Sequence, residues 1–95
     1  MNKQKVSNLL GLAQRAGKII SGEEMVVKAI QDRKVKLVFL AHDASPNLTK
    51  KIQDKSHYYQ VEVITVFSTL ELSIAVGKSR KVLAVTDAGF TKKMR

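Results

Sequence analysis

Ninety-five residues, 44% of them apolar, suffice for one domain with a modest core and leave no room for a separate catalytic domain. Seventeen lysines and arginines against eight acids give a net charge of +9, which attracts polyanions, nucleic acid first and an anionic membrane surface second. The absence of cysteine excludes disulfides, thiolate chemistry and cysteine-based zinc sites.

In chain order, KVSNLLGLAQRAG places Val6, Leu9, Leu10, Ala13 and Ala16 at helical spacing, with Gly17 as the stop and Arg15 in the last turn. The same stretch has no cleavable apolar core, because Asn8, Gln14 and Arg15 interrupt it, and no later run nears the roughly 20 residues of a membrane span. A cytoplasmic protein without a membrane partner is therefore expected. Lys18-Ile19-Ile20 is long enough only for a short strand. In SGEEMVVKAIQDRK, Ser21 and Glu24 stand at capping-box spacing. Two acids open that helix and Asp32-Arg33-Lys34 close it in cations, matching the helix dipole. Met25, Val26, Ala29 and Ile30 are its expected buried side.

VKLVFLAHD is a continuous apolar run and predicts a central strand covered on both faces. Ser45 caps the next helix, Pro46 suits its first position, and Leu48 with Ile52 marks its inner face. VEVITVF reads as a strand. STLELSIAVG opens with Ser68 and Glu71 at capping-box spacing and stops at Gly77. KVLAVTD is a second buried strand, and AGFTKKMR a short basic helix or tail. The order α-β-α-β-α-β-α-β-α with short connections predicts one α/β domain over residues 1–95, with helices on both faces of a mostly parallel sheet.

Gly77-Lys78-Ser79 looks like the end of a phosphate-binding loop. Such a loop needs a glycine where this chain has Leu72, and it leaves a strand to open a helix, the reverse of the order here. Other enzyme constellations are equally incomplete. His42 and His57 lack metal-ligand spacing, so neither a metal nor a cofactor is expected. No catalytic residue is assigned. Asp43 ends a central strand, where open α/β sheets often bind ligands, but no base and orienting group accompany it. Two basic features remain. One is Lys18 with Ser21-Gly22-Glu23-Glu24 and Lys28 around the start of the second helix, where free amides attract phosphate. The other is Lys78-Ser79-Arg80-Lys81, a basic turn entering a buried strand. Aromatic residues are too few for a stacking platform.

AGKIISGEEMVVKAI, KLVFLAHDASP and ELSIAVGKSRKVLAVTD, in that order, resemble the L7Ae/L30e family of ribosomal proteins, which bind kink-turn RNA, and are similar to its short bacterial members. The resemblance spans about Leu9 to Phe90. It implies a three-layer α/β/α sandwich around a central four-stranded mixed sheet. It also implies that the start of the second helix and the loop before the last strand present one surface to a sharply bent RNA internal loop, read by shape and exposed base edges. The family motif Gly-x-Asn-Glu-x-x-Lys matches at Gly22 and Lys28. Glu24 replaces its Asn and Met25 its Glu, and an ionised Glu24 can only accept hydrogen bonds. The family's basic loop contact falls on Arg80 and an apolar contact on Leu83; Gly77 through Lys81, Ser79 included, then reads as an RNA-contact loop, with Lys78 and Lys81 as backbone contacts, which position without specifying sequence.

The expectation is a monomeric, non-enzymatic RNA-binding protein, associated with the ribosome or another ribonucleoprotein and recognising a kink-turn. A regulatory protein-interaction module on the same fold is the alternative that Glu24 and Met25 favour. A small enzyme using the Asp43 strand end is the third.

Overall fold

The computed structural model describes residues 1–95. Five helices, α1 (Lys3–Arg15), α2 (Glu23–Gln31), α3 (Pro46–Tyr58), α4 (Thr69–Val76) and α5 (Ala88–Met94), alternate with four strands. The strands are β1 (Ile19–Ser21), β2 (Leu37–Leu40), β3 (Glu62–Ile64) and β4 (Val82–Val85), ordered β1-β4-β2-β3 in one sheet. The two apolar runs form the inner pair, β2 and β4, and every residue of both is buried. Side chains that alternate along a strand point to opposite faces, and the core accordingly has two layers. Leu37, Phe39, Leu83 and Val85 meet Val6 and Leu10 of α1, Leu72 and Val76 of α4 and Met94 of α5. Val38, Leu40, Val82 and Ala84 meet Val26, Ala29 and Ile30 of α2 and Ile52 of α3. Met25, expected on the buried side, is instead 58% exposed, because the inner stripe of so short a helix is filled by Val26, Ala29 and Ile30. None of the five helices is long and apolar enough to cross a membrane.

The sheet is mixed, as the family resemblance implies, and the mostly parallel sheet read from element order is corrected. Only β2 and β3 pair in parallel; β4 runs antiparallel to both β1 and β2. The strand pairings show why. β1, β2 and β3 all point one way, each leading into a helix that carries the chain back. After β3, however, the chain returns to the end it left, because the segment after α4 folds back along that helix. The Arg80 amide donates to Ser73 Oγ at 3.0 Å, and Ser73 Oγ donates to the Thr69 carbonyl. Gly77 makes the reversal, with φ 79° in the left-handed region that glycine adopts at no steric cost. Consequently β1, β2 and β3 end, β4 begins, and α2, α3 and α4 start at one end of the sheet. Helix starts carry partial positive charge, so three of them aim at that end.

Local signals at that end mostly form as read. Ser45 Oγ accepts from the Leu48 amide with Pro46 at the first position of α3. Ser68 and Glu71 make a reciprocal capping box on α4. The Glu71 carboxyl is held below its usual range by the Ser68 amide first and by Lys3 second. Asp43 has a structural occupation. Its Oδ1 accepts from both the amide and the hydroxyl of Thr69, at 2.9 and 2.7 Å, stapling the end of β2 to the start of α4. The Thr69 hydroxyl, then its amide, lower the Asp43 pKa. These two bonds account for Asp43 without a catalytic role.

Candidate functional site

The start of α2 and the turn before β4 lie side by side. The Gly22 amide donates to the Val82 carbonyl at 3.2 Å, and Arg80 Nε donates to Ser21 Oγ at 2.7 Å. A guanidinium has five N–H donors; a second interaction here runs from Nη1 to the Ser79 carbonyl at 2.7 Å. No carboxylate pairs with it, since the four ion pairs of the molecule involve Lys3, Lys50, Lys51 and Arg95. Arg80 is therefore fixed in place by neutral oxygens while its charge stays uncancelled. Gly22, Ser79, Arg80 and Lys81, with Glu23, Ser45 and Leu48, line one open groove of about 400 Å3.

The Ser21–Glu24 capping box does not form. Ser21 belongs to β1, and its hydroxyl is turned to Arg80. Gly22 takes the cap position of α2, at φ 94° and ψ 148°, and no side chain caps the helix. The contrast is internal to the molecule: Asn2, Ser45, Ser68 and Asp87 cap the other four helices through their side chains. The first amides of α2, which lack intrahelical acceptors, thus open toward the groove. A side chain at Gly22 would meet nothing within 4 Å, so the surface above these amides is clear for close approach. Glu23 is drawn aside by Lys51 of α3 at 2.9 Å. Glu24, Met25 and Lys28 stand exposed along α2, and Lys78 and Ser79 are exposed in the turn. The Glu24–Lys28 surface pair that their spacing allows is not made.

Two expected members are misplaced. Leu83 is completely buried in the layer beneath α1 and α4, because the alternation of β4 turns it inward, so it presents no surface to a partner. Lys18 precedes β1, and its carbonyl accepts from the amide and hydroxyl of Thr86, beyond the far end of β4. With Ile19 opposite Val85 and Ser21 opposite Leu83, Lys18 sits at the opposite end of the sheet from Arg80. Conversely, Arg80 is held by Ser73, which no sequence feature singles out, and by the hydroxyl of Ser21, which its spacing to Glu24 marks as a helix cap. They bond to it across 7 and 59 residues of chain respectively, and the longer of these links has no local sequence signal.

The molecule is similar to several known proteins. Two are called RNA-binding protein YlxQ. That of Enterococcus faecium is 50% identical over 94 residues, 99% of this chain and 91% of the relative. That of Bacillus subtilis is 49% identical over 87 residues, 90% of this chain and 87% of the relative. Among solved structures, a Bacillus halodurans protein described as of unknown function superposes with a TM-score of 0.91 at 46% identity, covering 95% of this chain and 92% of its own. The Giardia lamblia 15.5kD RNA binding protein shares the fold, with a TM-score of 0.83 at 19% identity over 96% of this chain and 79% of its own. Residues 4–95, nearly the whole chain, match the model of one family. The chain belongs to the ribosomal protein L7Ae/L30e/S12e/Gadd45 family, a non-catalytic one.

Proposed function

We propose that the protein is a non-enzymatic RNA-binding protein that grips a kink-turn or similarly bent internal loop at the groove between α2 and the turn before β4. The observation that carries this reading is the exchange of partners at Ser21. Its hydroxyl is spent on Arg80, which leaves α2 uncapped beside an unneutralised guanidinium. Helix amides and a positioned arginine together suit an RNA backbone and a guanine edge. Lys28 and the lysines of the turn add attraction without sequence preference. The relatives named as RNA-binding proteins support it, as does the positive charge of the domain. A ribosomal or ribonucleoprotein setting is part of the same proposal.

The test is affinity for a kink-turn RNA against a straight duplex of equal length, over a series of salt concentrations. Arg80→Glu should weaken kink-turn binding by roughly 5- to 150-fold, from the roughly 1–3 kcal/mol carried by one arginine contact to a base. Lys28→Ala should lower the salt slope by about 1. Equal affinity for both RNAs, unchanged by Arg80→Glu in a folded protein, overturns the reading. The exposed apolar side chains of Met25, Leu70 and Ile74 favour the protein-interaction alternative, whose signature is a stable protein partner together with that lack of RNA preference.

A further inference from the structure

The opposite end of the sheet carries a second concentration of charge. Lys34, Lys36, Lys92 and Arg95, with the hydroxyl residues Thr86 and Thr91, line an open groove of about 480 Å3. No carboxylate lines it. Two acids stand near it: Glu62 accepts from Arg95 Nε at 2.7 Å, and Asp87, between Thr86 and Ala88, caps α5 by accepting from the Phe90 amide. The three lysines are exposed and make no ion pair, and Lys18 joins the same end through its bonds from Thr86. Dipole compensation accounts for only part of the cluster. Lys34 follows the end of α2, and Lys92 and Arg95 close α5, where cations are expected. Lys36 lies beyond any helix, at the start of β2, and the four cations converge from two separate segments onto one concavity. A low-dielectric wall lined by one sign of charge concentrates counter-ions.

We infer that this groove is a second RNA contact, taking backbone phosphates from a helical arm of the same RNA and reading no bases. It rests on the RNA-binding reading above but not on kink-turn specificity. The groove has the features of a backbone contact: exposed ammonium groups, apolar lining from Val85 and Ala88, and no aromatic side chain. From Arg80 to Thr86, six residues of extended chain span roughly 20 Å, so the two contacts address separate stretches of a folded RNA.

The experiment compares the salt dependence of binding for the full chain and for the triple variant Lys34→Gln/Lys36→Gln/Lys92→Gln. The probes are a kink-turn RNA with long helical arms, the same kink-turn with its arms trimmed, and vesicles containing phosphatidylserine. With the long-armed RNA, each lost phosphate contact lowers the slope of log affinity against log salt by about 0.7–0.9, so the triple variant should lose about 2 to 3. Trimming the arms should erase that difference. The charge-preserving variant Lys34→Arg/Lys36→Arg/Lys92→Arg should keep the original slope, which separates charge from misfolding. A slope unchanged in the triple variant overturns the inference. Loss of vesicle binding with an unchanged RNA slope also overturns it, assigning the groove to a membrane surface. Arg80→Glu tests the other end independently: it removes preference for the kink and leaves the effect of the triple variant in place.

Discussion

The two ends of the sheet hold similar charge in opposite ways. At the end where β4 begins, Arg80 is fixed at Nε by Ser21 and at its amide by Ser73. Gly22 is locked to Val82, and α2 opens without a side-chain cap. At the end where β4 finishes, Lys34, Lys36 and Lys92 are exposed and unpaired. Held donors act on a partner of one shape, because the cost of ordering them is met in folding. Free ammonium groups attract any phosphate and lose that attraction to salt. Under the proposed function, the difference assigns discrimination to one end of the domain and attraction to the other.

Four substitutions probe that contrast, from the largest expected effect to the smallest. Gly22→Ala strikes the fixed end directly. A residue with a Cβ is strained at φ 94°, ψ 148°, and about 1–3 kcal/mol of stability should be lost, read as a lower urea midpoint. Because no atom crowds the new methyl, the loss is one of backbone conformation, and a crystal structure should show the start of α2 displaced. Ser21→Ala is subtler. It removes the acceptor of Arg80 Nε and should cost about 0.5–1.5 kcal/mol of kink-turn affinity, with straight-duplex affinity unchanged. An equal loss for both RNAs would mean that Arg80 acts only through its charge.

Asp43→Asn tests the staple beneath the fixed end through pH. Thr69 depresses the folded pKa of Asp43. Its stabilising contribution is thus complete above the ordinary carboxylate range and is lost as pH falls below about 4 toward the folded value. Thermal midpoints of the wild-type protein should drop more steeply through that window than those of Asp43→Asn, which carries no charge to lose. Ser56→Ala should matter least. Ser56 Oγ is buried in α3 without a hydrogen-bond partner. Its removal leaves no orphaned group behind, so stability should hold or rise by up to about 1 kcal/mol.

The legible parts of the sequence were those in which cause and effect are neighbours. Ser45-Pro46, Ser68 with Glu71, and the stops at Gly17 and Gly77 act within one turn of helix and form as read. The buried strands announced themselves by unbroken apolar runs. The direction of β4 was not legible, because a helix between two strands does not declare whether the chain after it continues or doubles back. Ser21 shows the same boundary at the level of one hydroxyl. Its local partner was the α2 amides, and Arg80, 59 residues away, outcompeted them. The placement of Lys18 depends on the register of β1 against β4, whereas the burial of Leu83 agrees with the apolar run of β4 and conflicts only with the contact position that the resemblance implied. All four strands, both core layers and the adjacency of the Gly22 and Arg80 segments followed from local pattern and family resemblance. The mechanism that holds Arg80 required the tertiary structure.

The scarcity of internal charge neutralisation has a thermodynamic corollary. Only four of the seventeen cations meet an acid, so the free molecule folds against its own repulsion. Added electrolyte relieves that repulsion, and the same electrolyte competes for the phosphates of a bound polyanion. Ionic strength should therefore raise the melting temperature of the isolated domain while dissolving its complexes, and a cell's RNA would serve the protein as its missing counterion.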